Sequence, residues 1–380
     1  MDSRHHIRPK LGMAYGLFYL GYMALFPFEA IYLTSLGYGT EAVALLSTCT
    51  SVGNFLVQFL VGRISGTKVT TRKLILLLLA LAVPLGFTVV RFHGNLALVI
   101  FTVLPVTLAD FSLIGQLDSY TLSTPEVHYS SMRTLGSLTG AAATMFLGRF
   151  YTRWGIDKMF LIHGACLALC FLSVLRLPEE PVSPKSKQQS RGSVKTFLPL
   201  LLGGGLLFLP WRVILVYLPV ALLSLGGNAS HQGVAMSIMS FSIMPVLMAY
   251  PWLRKRCSCR CLLTLGGLAM IARLGWMADS TAPWMLTAAQ LLEALSYGLT
   301  QPAIMELLGR AAPELRARAV SIWTGIQMAL CTVIANGLVS LLNGRRSLNE
   351  IFGLMIPPTA AGILILLFAP CTKEVCENAG

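Results

Sequence analysis

Seven ionisable side chains stand inside stretches of sequence too apolar to face water: Glu29, Asp110, Asp118, Arg133, Arg212, Arg273 and Glu293. A charge at the centre of a membrane-spanning helix costs about 2.5–3.5 kcal/mol on insertion scales. Residues of this kind therefore turn toward a bundle interior or a wet cavity, where they find partners. Two kinds of chemistry are open to them. A buried carboxylate is costly in its charged form and can take up and release a proton. A guanidinium fork can hold an oxygen-rich solute through paired hydrogen bonds.

Asp118 closes one apolar stretch and Arg133 opens the next, with a short connection between them. The pair either recognises a polyol or locks two antiparallel helices. Glu29 follows Phe26-Pro27-Phe28, where proline breaks the backbone ladder and exposes carbonyls. It is a proton or substrate candidate, or else an outer-end glutamate reaching water just before Leu33. Gln290, Glu293 and Gln301 fall close to one helical face, which points to a cavity or to another helix. Arg212 follows Pro210-Trp211 and is a candidate ligand contact, with the indole available for stacking. Arg273 reads as a structural partner for Glu293 or Asp279, while Asp110 either pairs with an arginine or carries a proton. Among the aromatics, Tyr19 and Trp211 are the candidates for a sugar or nucleobase platform; the others read as interfacial belts and packing. The candidate substrate contacts are therefore Asp118, Arg133, Arg212, Trp211, Glu293, Gln290, Gln301 and Tyr19, and the candidate proton carriers Glu29, Asp110 and Glu293.

The elements that must hold these residues are long. Twelve apolar blocks divide the chain: Leu11–Leu33, Ala42–Val61, Leu74–Val90, Leu96–Leu122, Thr134–Tyr151 and Met159–Leu175, then Phe197–Leu225, Gly233–Leu253, Leu262–Met277, Pro283–Leu308, Ala319–Leu342 and Ile351–Ala369. A spanning helix needs roughly 20 mostly apolar residues. Continuous runs of this length lack the alternation of a barrel strand, so the expectation is an all-α membrane protein with twelve transmembrane helices. Hydrophobic residues make up 55% of the chain and charged ones 12%, about half the charged share of an ordinary soluble domain. The net charge of +13 does not indicate nucleic acid, because of where it sits. Most of the 29 Lys and Arg residues fall on segments that share one side of the membrane with both termini. The positive-inside rule makes that side cytoplasmic and so places both termini in the cytoplasm, which requires an even number of spans; the expected location is a bacterial cytoplasmic membrane. The first block is too long for a signal peptide and reads as the first helix. Cys257, Cys259 and Cys261 lack the usual metal-ligand spacing and read as loop and helix-end cysteines, so neither metal nor cofactor is expected.

The polar stretch 178–195 reads as a cytoplasmic linker between a six-helix bundle at 1–177 and a second at 196–380. A weak internal repeat supports the division. Asp118 followed by Pro125-Glu126 recurs as Glu306 followed by Pro313-Glu314, and Ser35-Leu36-Gly37 recurs as Ser224-Leu225-Gly226, both about half the chain apart. Two parallel six-helix repeats around a midplane site form a transporter architecture.

Particular stretches bring the chain close to a known family. The first helix carries Phe18-Tyr19-Leu20-Gly21 and Phe26-Pro27-Phe28, the fourth ends in Leu117-Asp118-Ser119, and the fifth begins Tyr129-Ser130-Ser131-Met132-Arg133-Thr134-Leu135-Gly136-Ser137. Gln290 to Gly298 and Ala312 to Ala317 complete the set. In these stretches the chain resembles the major facilitator superfamily, and within it the lactose-permease-like branch of oligosaccharide and nucleoside proton symporters. The resemblance implies twelve helices in two pseudo-symmetric bundles, alternating access, and substrate recognition by a pair at the positions of Asp118 and Arg133. Two departures stand out. Gly66 occupies the place of the aspartate that helps gate the cytoplasmic side in that family. The tenth helix also lacks the branch's histidine–carboxylate pair one turn apart, so galactoside chemistry does not carry over.

The chain has no phosphate-binding loop, no Gly-x-Ser-x-Gly elbow and no His-Glu-x-x-His motif. It reads as a secondary transporter and not an enzyme. The expectation is proton-coupled symport of a small polar solute, a sugar or nucleoside, by a monomer whose partners are that solute, protons and the lipid bilayer. The alternatives are efflux of drug-like or lipidic compounds and a non-transporting membrane sensor.

Overall fold

The computed structural model describes residues 7–64, 69–88, 95–124, 127–179, 197–309, 319–320 and 322–368. Gly66, the 180–195 portion of the expected linker, and the two Pro-Glu dipeptides of the repeat lie outside the described residues.

Among the described residues, twelve helical rods follow one another. They are α1 (Ile7–Ser35), α2 (Thr40–Ile64), α3 (Thr71–Thr88), α4 (Leu96–Leu122), α5 (Tyr129–Trp154) and α6 (Lys158–Leu175), then α7 (Leu198–Ser224), α8 (Ala229–Arg256), α9 (Cys259–Ala278), α10 (283–309), α11 (Ile322–Leu342) and α12 (Leu348–Phe368). Ten of them are apolar and long enough to cross a membrane. The remaining two, α5 and α10, have the length but are more polar; α5 carries Arg133, and α10 carries Gln290, Glu293 and Gln301. Several helices, among them α1, α2, α8 and α9, overrun their apolar blocks at both ends. α5 starts at Tyr129, five residues before its apolar block, which brings Arg133 inside the helix.

The chain divides into two compact units: residues 1–186 with 228–237, and 187–227 with 238–380. The first turns of α8 thus pack with the first unit. In that unit α1 packs on α5 and α6, and α3 packs on α4 and α6. In the second, α7 packs on α11 and α12, and α9 packs on α10 and α12. The pattern is the same after a shift of six helices, so the repeat is one of folds as well as of sequence. The Ser-Leu-Gly repeat has a mechanical cause. Gly37 and Gly226 adopt φ of +84° and +83°. Tyr38 N–H donates to Leu33 O at 3.1 Å and Gly227 N–H to Leu222 O at 2.7 Å, closing α1 and α7 with the same left-handed cap.

The core of the first unit gathers around α1, with Tyr15, Phe18, Leu79, Leu113, Leu117 and Leu167 all buried. Leu207, Phe208, Leu263, Ile304 and Trp323 do the same around α7. Large apolar side chains such as Leu60, Phe101, Phe146, Met248 and Phe368 remain exposed. An outward apolar coat of this extent suits lipid and not water. The protein is an integral membrane protein.

Three rods depart from regular helix. α1 tightens to a 3₁₀ turn at Phe26–Phe28, α10 does so at Gln290–Leu292, and α11 widens to a π turn at Ile326–Leu330. Each irregularity frees or re-aims backbone groups beside a candidate polar residue.

Candidate functional site

In the first unit, Asp118 is the hub of a cluster built by α1, α4 and α5. The Tyr15 hydroxyl donates to Asp118 Oδ1 at 2.8 Å, and the Tyr129 hydroxyl donates to Oδ2 at 3.2 Å. Arg133 Nη1 donates to the same Oδ2 at 3.2 Å and also to the Tyr19 hydroxyl. The Thr121 hydroxyl donates to Tyr15 at 2.9 Å. The guanidinium carbon lies 5.4 Å from the centroid of the Tyr19 ring, which is itself stacked on Tyr15. A local rule explains the Arg-x-x-Gly spacing. Gly136 is one turn beyond Arg133, and a Cβ there would stand 2.5 Å from the Tyr19 ring. Only glycine lets the phenol lie flat on α5 with its hydroxyl at the arginine. The side chains of Asp118 and Arg133 are 22% and 41% exposed, so this cluster is open on one side.

A second group of the same unit is closed. Asp110 of α4 meets His163 of α6, with Oδ2 and Nε2 2.9 Å apart and side-chain exposures of 2% and 0%. Glu29 of α1 lies within electrostatic range of Asp110. Thus the partner of Asp110 is His163, a residue the sequence reading passed over. The signal was present, since any ionisable side chain within an apolar span requires an explanation.

In the second unit, Glu293 is saturated. Arg273 of α9 donates from Nη1 to Glu293 and from Nη2 to the Gln290 carbonyl oxygen. The Trp211 indole N–H donates to the other Glu293 oxygen at 2.7 Å. Arg273, Gln290 and Glu293 are 0–1% exposed. The 3₁₀ turn at Gln290–Leu292 is what brings Gln290 and Glu293 to the same guanidinium. Trp211 stacks on Tyr297 with centroids 5.1 Å apart, and both line a recess with Phe208, Ser296 and Thr300. Arg212 is directed elsewhere. Its Nε donates to Thr332 Oγ1 at 2.6 Å and its Nη2 to the Met328 carbonyl at 3.2 Å, on the π turn of α11. Gln301 accepts from Gln327 at 3.4 Å, apart from the Glu293 group. Glu306, the residue at the repeat position of Asp118, accepts from Arg254 at 2.9 Å and from Tyr250 at 3.2 Å. That pair was not a sequence candidate, and only its place in the repeat pointed to it.

The structure therefore gathers Tyr19, Asp118 and Arg133 in one cluster, Glu29 and Asp110 in another, and Trp211, Gln290 and Glu293 in a third. Arg212 meets the third only through its guanidinium carbon, 5.6 Å from the centroid of the Trp211 ring, and Gln301 bonds to Gln327 apart from it.

Comparison with known proteins is consistent across the whole length. The family model described as "MFS_1 like family" matches residues 9–344. The chain is 26% identical over 372 residues to a maltose permease of Geobacillus stearothermophilus, covering 93% of this chain and 92% of that protein. Among solved structures, a mutant form of the nucleoside transporter NupG superposes with a TM-score of 0.81 at 13% identity, covering 95% of this chain and 99% of that one. A peptide transporter POT in complex with alafosfalin superposes at 0.77 with 12% identity, covering 97% and 95%.

Proposed function

The chain belongs to the MFS_1 like family, within the major facilitator superfamily, and from that premise we propose that it carries a sugar or nucleoside across a membrane as a secondary transporter. The similarity to a maltose permease along nearly the whole chain carries this reading, and the fold shared with a nucleoside transporter supports it. Such carriers bind and release a solute without changing it, so the protein is not an enzyme. Transport runs by alternating access, exposing the solute first to one side of the membrane and then to the other. Coupling is to protons, in symport. The protein acts as a monomer in a bacterial cytoplasmic membrane, with both termini in the cytoplasm.

Solute recognition rests on Asp118, Arg133 and Tyr19. Arg133 uses Nη1 for its two protein partners and keeps 41% exposure, which leaves the rest of its fork for hydroxyl oxygens of a solute. Asp118 and the two tyrosines hold that fork in place. The Trp211–Tyr297 pair offers an apolar face for a sugar ring or nucleobase. Glu293 and Gln290 hold Trp211 through their shared arginine. Arg212 and Gln301 contribute by pinning α11, through Thr332 and Gln327, against α7 and α10.

Uptake of labelled maltose and labelled uridine into proteoliposomes, with an imposed inward pH gradient, tests the assignment. Accumulation above the equilibrium level, abolished by a protonophore, is the expected result. Accumulation that survives the protonophore sinks proton coupling, and failure to move either probe sinks the solute class.

A further inference from the structure

Of the three carboxylates that sequence nominates as proton carriers, Glu293 has no use for a proton. Both of its oxygens already accept from fixed donors, Arg273 and Trp211, and the guanidinium cancels its charge. The group formed by α1, α4 and α6 has the opposite character. Oδ1 of Asp110, Nδ1 of His163 and Oε1 of Glu29 are all buried and have no hydrogen-bond partner. Among the described residues, no Lys or Arg comes within ion-pair distance of either carboxylate.

We infer that Asp110, His163 and Glu29 form one buried proton-binding site in the first unit, and that this site binds the coupling ion of the transport reaction proposed above. The bookkeeping of charge drives the assignment. At 2.9 Å, Nε2 and Oδ2 share one proton; with a second proton on His163 Nδ1 the pair is neutral, whether the shared one is written on the imidazole or on the carboxyl. Removing that proton leaves a net negative charge on groups no more than 2% exposed, with no cation to offset it. Glu29 adds a second carboxyl whose buried Oε1 faces the same shortage of donors. The remaining surroundings are accounted for element by element. α6 contributes Cys170, in electrostatic range of Asp110, and Cys166. α5 contributes Tyr151, whose hydroxyl is committed to the Ala24 carbonyl at 2.9 Å. α3 has no titratable side chain from Leu74 to Thr88 and presents Gly86, where a Cβ would stand 3.4 Å from His163 Nδ1. α2 contributes the half-buried Cys49, and its Thr50 pairs with Thr107 of α4. Coordination chemistry also favours a proton over an alkali cation, because the side chain paired with Asp110 is an imidazole, whose nitrogen is a poor ligand for a hard cation.

The test needs no known solute. Full-length protein in lipid is titrated by infrared difference spectroscopy, as wild type and as Asp110→Asn, Glu29→Gln and His163→Gln. Wild type should show a carboxylic-acid C=O band that bleaches on raising pH. The band should be lost in Asp110→Asn, and its midpoint should move in His163→Gln and Glu29→Gln. Absence of such a band in wild type at any pH overturns the site whatever the variants do. So does a titration unchanged in Asp110→Asn, or a midpoint that follows sodium when choline is replaced by it. The coupling role is read separately with labelled maltose and uridine. Asp110→Asn should keep solute counterflow and lose accumulation driven by a pH gradient; retention of both overturns the coupling role. Wild-type protein that moves neither probe would count against the solute class alone, since the infrared result still decides the proton site.

Discussion

Replacing Arg273 with methionine removes one partner from the most deeply buried ion pair of the second unit. Glu293 would remain 1% exposed, holding only the Trp211 N–H at 2.7 Å. Breaking a buried pair in this one-sided way costs about 3–5 kcal/mol, because the surviving charge keeps its desolvation penalty and loses its compensation. The other bond Arg273 makes, to Gln290, is a smaller matter. Side-chain hydrogen bonds between membrane helices average about 0.6 kcal/mol by double-mutant cycles. Gln290→Leu should therefore be mild, and Arg273→Met severe, although both touch the same guanidinium. Removing both charges together, as Arg273→Met with Glu293→Leu, should recover most of the loss, since a buried pair exchanged for packed apolar groups is often neutral. Reversible denaturant titration in mixed micelles, followed by tryptophan fluorescence, measures all four proteins. A loss of about 3 kcal/mol changes the folded-to-unfolded ratio more than a hundredfold, well outside error. An Arg273→Met protein as stable as wild type, or a double variant no better than Arg273→Met, would refute the charge-compensation argument.

Asp118→Asn should abolish uptake of the transported solute with little loss of stability, because the pair is partly exposed and exposed pairs contribute only about 0–1 kcal/mol; uptake at the wild-type rate counts against solute recognition there. Arg133→Lys should fail equally, since an ammonium that takes the place of Nη1 beside Tyr19 and Asp118 leaves no second nitrogen of a planar fork for the solute. Gly136→Ala should weaken solute affinity, because the added methyl displaces the Tyr19 ring from α5. Gly275→Ala, with nothing within 4 Å of its Cβ, should instead stabilise α9 by roughly 0.5–1 kcal/mol in the same micelle titration. Equal effects of the two glycine substitutions on solute affinity would contradict the role given to Gly136.

How much of this protein its sequence determines follows from how each feature is encoded. The twelve rods are legible because every spanning helix must satisfy its own backbone and cover itself in apolar side chains, so each is written locally in about 20 residues. The twofold plan is legible for a similar reason. The Ser-Leu-Gly stop is a local cap that needs a left-handed residue, and it recurs wherever the same cap is built. Asp118 with Arg133 is legible because a short connection makes α4 and α5 neighbours. What the sequence leaves open are the pairings between distant helices. In sequence Arg273 is a partner for Glu293 or for Asp279, and only the packing of α9 on α10 joins it to Glu293, 20 residues after it. Arg212 read as a ligand contact, but the π turn of α11 presents Met328 O and Thr332 to it instead. His163 reads as one neutral ring in an apolar run, and it acquires chemistry only when α4 brings Asp110 to its Nε2 from 53 residues away. The 3₁₀ turn of α10 has no proline to announce it, whereas that of α1 has Pro27. Hydrophobicity is a property of each residue and sums along the chain. Charge compensation is a property of pairs, and which pairs meet is decided by helix packing.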